Sequence, residues 1–324
     1  MRDTANDPPA APARNRMSRQ RMVWLSLACM LLYAAFVHYA WGWGAVLSAW
    51  RPIGYGPVAA VLLLLVSTYF VRTYRLYAYF PKETSGRFAA LFHLAQVHNL
   101  LNVMLPFRSG EMSFPLLMRA EFGVPLLRAT SALLVMRLMD LHALLAAGGI
   151  GLALEHGTAS GWLAWLAFLL APLACFRLKR PLFGLLHRRL TGRPARLAAE
   201  VEAGLPGRMA DFLHALAVTA LNWGVKVVVL AWGLSLAGVG PLAATFGGAL
   251  GGELSSVLPF HAPAGVGTYP AGIAAGAMAL GAGLDAASLD RLMKAAVGLH
   301  LVLIVSACLG AGLALLLPAR GRQG

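Results

Sequence analysis

Long apolar runs alternate with short polar connections along almost the whole chain. The runs begin near Met22, Val58, Phe88, Ala129, Trp162, Met209, Ala243 and Leu292. The first continues for about 20 residues, enough for a helix to cross about 30 Å of hydrocarbon. Ahead of them stands "MRDTANDPPAAPARNRMSRQR", polar and rich in Pro and Ala, which reads as a disordered basic tail over residues 1–20. The first run, "MVWLSLACMLLYAAFVHYAWGWG", is too long for the core of a cleaved signal peptide and reads as a retained span. Two later runs are interrupted. "NVMLPFRSGEMSFP" places Pro106, Arg108 and Glu111 within six residues, and "SSVLPFHAPAGVGTYPAGI" is broken by Pro259, Pro263, Gly265 and Gly267. Such breaks leave backbone groups without partners in hydrocarbon, at several kcal/mol each, so these segments predict non-helical backbone lining a polar cavity.

Composition strengthens the membrane reading. The chain is 59% hydrophobic and 12% charged, where a soluble domain would be roughly a quarter charged. The formal charge of +14 could suggest nucleic acid, but the cations cluster in connections between apolar runs, and no groove-reading or base-stacking elements accompany them. Cys29, Cys175 and Cys308 stand singly in separate apolar segments, which is neither a disulfide framework nor a zinc spacing.

The placement of cations predicts a topology. The tail carries Arg2, Arg14, Arg16, Arg19 and Arg21; the turn after the second run carries Arg72, Arg75, Lys82 and Arg87; Arg119 and Arg128 flank the next boundary; 177–208 is densely basic; Arg320 and Arg322 close the chain. The connections at 43–57, 155–160 and 237–241 hold only Arg51 among them. By the positive-inside rule both termini and the basic connections lie in the cytoplasm. The 72–87 and 119–128 connections then share one side, so 88–118 enters and leaves by the same face, and 242–285 does the same from the opposite face. The expected fold is an all-α polytopic membrane protein with about six full transmembrane helices and two re-entrant broken hairpins. A single membrane domain spans 21–318, with one half at about 56–154, a second at about 209–317, a basic connection at 177–208 lying on anionic headgroups, and a short tail at 319–324. Leu105-Pro106-Phe107 echoes Leu258-Pro259-Phe260, and the halves run in opposite senses, which reads as an inverted-topology repeat with its site at the midplane.

Ionisable residues at membrane depth are rare and point to function. Arg108 and Glu111 flank Ser109-Gly110, where a tight turn would free N–H groups for an anion, and the Arg fork suits phosphate. Arg137 and Asp140, spaced i and i+3, share a helix face and fit a structural ion pair, a site, or both. Lys226 has no carboxylate within a turn of its own helix, so it pairs across helices, snorkels, or faces a polar cavity; the cavity is the favoured reading. Glu253 and Lys294 complete the set. Asn99 and Asn102 suit capping or cross-linking of broken backbone. His93 and His98 are spaced wrongly for metal, and His261 suits a hydrogen bond to a freed carbonyl. Motifs for metallohydrolase, serine hydrolase, ATPase or dinucleotide chemistry are missing, so no enzyme activity, cofactor or metal is expected.

At these residues the chain resembles a known family. "NLLNVMLPFRSGE" is similar to the Pro-x-Arg-x-Gly-Glu signature of the flippase-like membrane region of lysylphosphatidylglycerol synthases and their stand-alone relatives; "LVMRLMDL" resembles its Arg-x-x-Asp span, and "SVLPFHAPAGVGTYPAG" its second hairpin. The resemblance covers roughly 20–318. It implies a bacterial inner-membrane protein that translocates a polar lipid, with lipids bearing anionic or polar headgroups as partners, and one branch accompanies hopanoid synthesis. The alternative is a non-transporting scaffold for a lipid-biosynthetic enzyme. The sequence contains no aminoacyl-transferase domain after the membrane region, and Pro270 stands where the family's second hairpin usually has Glu.

Overall fold

The computed structural model describes residues 31, 34–35, 38–39, 42–104, 110–256, 262–265 and 267–317. The expected span over 22–44 falls mostly outside these residues, as do Pro106, Arg108, Pro259 and His261. Among the described residues the fold is helical throughout, as the run lengths predict. The main helices are α1 (Trp43–Trp50), α2 (Tyr55–Tyr79), α3 (Phe88–Met104), α4 (Ser113–Phe122), α5 (Leu126–His156), α6 (Ala159–Arg189), α7 (Gly192–Ala203), α8 (Met209–Leu236), α9 (Leu242–Ser255), α10 (Thr268–Ala279) and α11 (Ala286–Leu316). Five are long and apolar enough to cross a membrane: α2, α5, α6, α8 and α11.

Helices α2, α5, α8 and α11 form the centre. Val61 and Leu65 of α2 pack with Val227, Leu230 and Leu234 of α8. Further along, Arg75 of α2 reaches Thr219 and Tyr74 reaches His214. The residue numbers rise on α2 as they fall on α8, so these two helices are antiparallel. Helix α11 runs alongside α2 in the same sense, with Trp50, just ahead of α2, against Gly298 and Tyr69 against Ser306. Helix α5 accompanies α8 likewise, Met139 packing on Phe212 and Ala215.

Two helix–break–helix units, α3–α4 and α9–α10, fill the spaces between these helices. Residues on either side of α3–α4 are joined by two ion pairs, Arg87 with Glu121 and Arg128 with Glu83, so this hairpin returns to the end where α2 finished. The chain around α9–α10 closes similarly: Val239 packs with Ala282, and Arg291 Nη1 donates to Gly238 O at 3.5 Å. That junction lies at the end where α8 finished. Because α2 and α8 are antiparallel, the two hairpins insert from opposite ends of the bundle.

Helix α6 lies outside this core, and the most apolar part of it buries no residue. It touches α5 through Trp165 Nε1, which donates to Ala146 O at 2.9 Å, and touches α8 through stacked Phe176 and Phe212. The apolar run from Trp162 continues as helix through the basic residues to Arg189, despite Pro172 and Pro181. The rest of the basic connection is mostly helix α7, not irregular chain.

One sequence reading is corrected here. Arg72 and Arg75 do not belong to a connection: α2 continues to Tyr79, Arg72 is part-buried, and Arg75 is 6% exposed. Lys82, Arg87, Arg119 and Arg128 remain as the cations of that end.

Candidate functional site

A cavity of about 430 Å³ lies where the hairpins meet the central helices. Its polar wall comprises Arg72 from α2, Asn99 and Asn102 from α3, Arg137 and Asp140 from α5, Trp223 and Lys226 from α8, and Glu253 and Ser256 from the end of α9. Leu134, Leu138 and Leu141 of α5 line it too, and Leu134 and Leu138 are 61% and 69% exposed. A charged interior therefore continues into an apolar outer surface of the bundle.

Asp140 is the best-satisfied charge. Its carboxylate accepts from Arg75 Nη1 at 2.5 Å, from Arg137 Nη1 at 3.1 Å and from Trp223 Nε1 at 2.9 Å. Arg75 also donates to Thr219 Oγ1 at 2.8 Å. Arg137 reaches beyond Asp140 to Glu111, at 2.9 Å, and Asn102 Nδ2 donates to the same carboxylate at 3.0 Å. One chain of ion pairs thus runs from α2 through α5 to the turn of the first hairpin. Gly110, next to Glu111, is buried, and a Cβ there would overlap the backbone of Leu101 and Asn102. Only a residue without a side chain lets that turn lie on α3 and carry Glu111 to Arg137.

A second cluster sits on the other hairpin. Lys226 Nζ lies 2.8 Å from Glu253 Oε1, and Tyr269 Oη donates to the same oxygen at 2.8 Å. The Tyr269 ring stacks on His300 at 5.0 Å, and His300 Nε2 lies 2.9 Å from Ala264 O. Ala264 and Gly265 form the turn before α10 with φ of 55° and 69°, and Gly267 follows with φ of 73°, a backbone region favouring glycine.

Most sequence-derived candidates converge here. Asn99, Asn102, Arg137, Asp140, Lys226, Glu253 and Gly265 line the cavity, and Glu111 stands behind Arg137. Arg137 and Asp140 form the expected i, i+3 pair, and Lys226 both pairs across helices and faces the cavity. Gly110 shapes the first turn, and in the second the backbone passes from Pro263 through Ala264 and Gly265 to Gly267 ahead of α10. Lys294 lies elsewhere, paired with Asp290 one turn away and 60% exposed. His98 bridges the first hairpin through Ser113 at 2.8 Å. Sequence reasoning missed Arg72, Arg75, Trp223, Tyr269 and His300. The first two were read as topology signals, and the others look like ordinary residues of an apolar helix.

A second cavity of about 260 Å³ adjoins the end where α2 finishes, lined among others by Arg75, Arg128, Arg208 and His214. Arg75 faces this cavity while its partner Asp140 faces the larger one, so their ion pair stands between the two.

Helices, hairpins and a charged interior opening on apolar surface define an all-α polytopic membrane protein. Residues 23–306 match the family described as the lysylphosphatidylglycerol synthase TM region, and the chain belongs to that family. No curated protein and no solved structure matches the chain.

Proposed function

We propose that this protein moves a polar lipid between the leaflets of the bacterial inner membrane, its headgroup passing through the cavity between two re-entrant hairpins. The observation that carries this reading is the cavity itself: Arg72, Arg137 and Lys226 face inward while Leu134 and Leu138 lead out to apolar surface. A headgroup can occupy the charged part while its acyl chains remain in lipid. Buried charges are costly unless paired, and at membrane depth they point to function; here every carboxylate of the cluster is held by a cation. The hairpins' opposite entry supports an inverted-topology repeat, with the site at the junction of the halves. With Lys82, Arg87, Arg119 and Arg128 at the end where α2 finishes, that end is cytoplasmic and so are both termini. Passage toward the smaller cavity requires the Arg75–Asp140 pair to part, which makes it the inner gate.

The test is reconstitution into vesicles carrying headgroup-labelled phospholipids, with leaflet accessibility followed over time. The wild-type protein accelerates exchange over protein-free vesicles, and Arg137→Ala or Glu111→Ala lowers the rate at least about tenfold, equivalent to about 1.4 kcal/mol of barrier. Exchange equal to protein-free vesicles for every lipid class, or unchanged in both variants, overturns the proposal. Loss of transport together with co-purification of a lipid-modifying enzyme favours a scaffold instead.

A further inference from the structure

The cavity contains a pair of corresponding positions that differ in charge. Tyr69 and Trp223, Arg72 and Lys226, Asn99 and Glu253, and Asn102 and Ser256 are each separated by 154 residues. Their contacts correspond as well. Arg72 Nη1 donates to Asn99 Oδ1 at 3.1 Å, and Lys226 Nζ meets Glu253 Oε1 at 2.8 Å; in both cases the cation is on the helix entering a hairpin and its partner is 27 residues later on the hairpin's first arm. Tyr69 Oη bonds Ser306 on α11, and Trp223 Nε1 bonds Asp140 on α5, again corresponding helices. One geometry is therefore built twice, once around an amide and once around a carboxylate.

Charge follows from that difference. Lys226 is neutralised by Glu253, which Tyr269 also holds. Arg72 instead spends a donor on a neutral amide. Asp140 is engaged by Arg75, Arg137 and Trp223, and Glu111 by Arg137 and Asn102. Among the described residues, the cluster of Arg72, Arg75, Arg137 and Lys226 exceeds Glu111, Asp140 and Glu253 by one positive charge, and the excess falls at Arg72. An Arg offers five donors in a planar fork that suits two oxygens of a phosphate, and low dielectric magnifies the attraction.

We propose that Arg72 is the phosphate-binding subsite of the cavity, and that Asn99 determines selectivity for phosphate-bearing headgroups by holding Arg72 without neutralising it. The inference rests on the reading that the cavity receives a lipid headgroup, and it adds which atom group is recognised and by which half. A carboxylate at position 99 would repeat the Lys226–Glu253 arrangement and silence the subsite.

Binding to purified full-length protein tests this without requiring transport. Labelled phosphatidylglycerol and a neutral diacyl glycolipid are titrated in detergent against wild type, Asn99→Asp, Glu253→Gln and the double variant Asn99→Asp/Glu253→Gln. Asn99→Asp is expected to weaken phosphatidylglycerol binding about tenfold or more while leaving the glycolipid within about twofold. The double variant keeps the net charge, moves the uncompensated cation to Lys226 and recovers phosphatidylglycerol binding, which a misfolded Asn99→Asp protein could not do. Excess inorganic phosphate separates the sources: competition assigns the subsite to phosphate as such, and no competition assigns it to the lipid-borne phosphodiester. Unchanged phosphatidylglycerol binding in Asn99→Asp, or equal weakening for both lipids without recovery in the double variant, overturns the subsite. Transport by wild type with an indifferent Asn99→Asp sinks the subsite alone; the expected binding pattern without any transport sinks only the translocation reading.

Discussion

The two hairpins follow similar paths but are held in different ways. In α9–α10 the helices pack directly on each other through backbone. Gly247 and Gly251 face Gly272 and Gly276 so closely that a Cβ on Gly251 or Gly276 would overlap the opposing carbonyl oxygen. This is small-residue packing at four-residue spacing, which lets helices approach where water provides no hydrophobic drive. In α3–α4 the arms lean chiefly on other helices. Leu91, Leu94, Phe114 and Met118 share a cluster with Leu76 of α2, with Phe80 just past its end, and with Ala129, Ala132 and Met136 of α5. The turn between the arms is tied down by Glu111 to Arg137 and through it to Asp140 and Arg75. The second hairpin is thus a unit with its own internal seam, and the first depends on its surroundings and on charge.

That contrast can be broken from either side. The largest effect is expected for Asp140→Ala, which leaves Arg75 and Arg137 facing each other without their shared carboxylate. Stripping one partner from a buried ion pair costs about 3–5 kcal/mol. Thermal unfolding in detergent should show the loss, and hydrogen exchange should rise in α3–α4 while α9–α10 stays protected. Equal exposure of both hairpins would refute their independence. Gly276→Leu comes next, at about 3 kcal/mol, because the added side chain must separate α9 from α10. Its exchange signature should be the reverse, confined to α9–α10.

Smaller effects are expected at Tyr269 and Lys294. Tyr269→Phe removes one hydrogen bond to the Glu253 carboxylate and keeps the stacking on His300, so it should cost about 1.5 kcal/mol in the same melting experiment. Lys294→Ala removes an exposed pair with Asp290, away from either hairpin seam, and should change stability by no more than about 0.5 kcal/mol. A larger cost there would mean that exposed charges of α11 matter as much as buried ones.

Much of this was legible in the sequence, residue by residue. The Pro and Gly breaks fall between α3 and α4 and between α9 and α10, while the Leu-Pro-Phe echo itself lies outside the described residues. Met209–Leu236 formed with the limits its apolar run predicts. The spacing of Gly247, Gly251, Gly272 and Gly276 was also visible, and was the overlooked signal for the α9–α10 seam. Arg75 was not legible in its true role. Near the end of an apolar run a cation reads as an anchor to the cytoplasmic face, and nothing local distinguishes that from a buried partner of Asp140, 65 residues away. Tyr269 and His300 gave no signal, because an aromatic residue in an apolar helix resembles its packing neighbours.

Hydropathy and break residues alone mark the chain as a helical membrane protein and mark where its apolar runs are interrupted. These follow from hydropathy and charge summed over neighbouring residues, and the chain supplies them without folding. Tertiary structure decided which cations are neutralised and which is left facing the cavity. Arg72 and Lys226 are both part-buried cations of the cavity wall, yet one meets an amide and the other a carboxylate. In a low-dielectric interior that choice sets the electrostatics of the site, because a charge there is governed by the groups within a few ångströms of it, which only packing brings together.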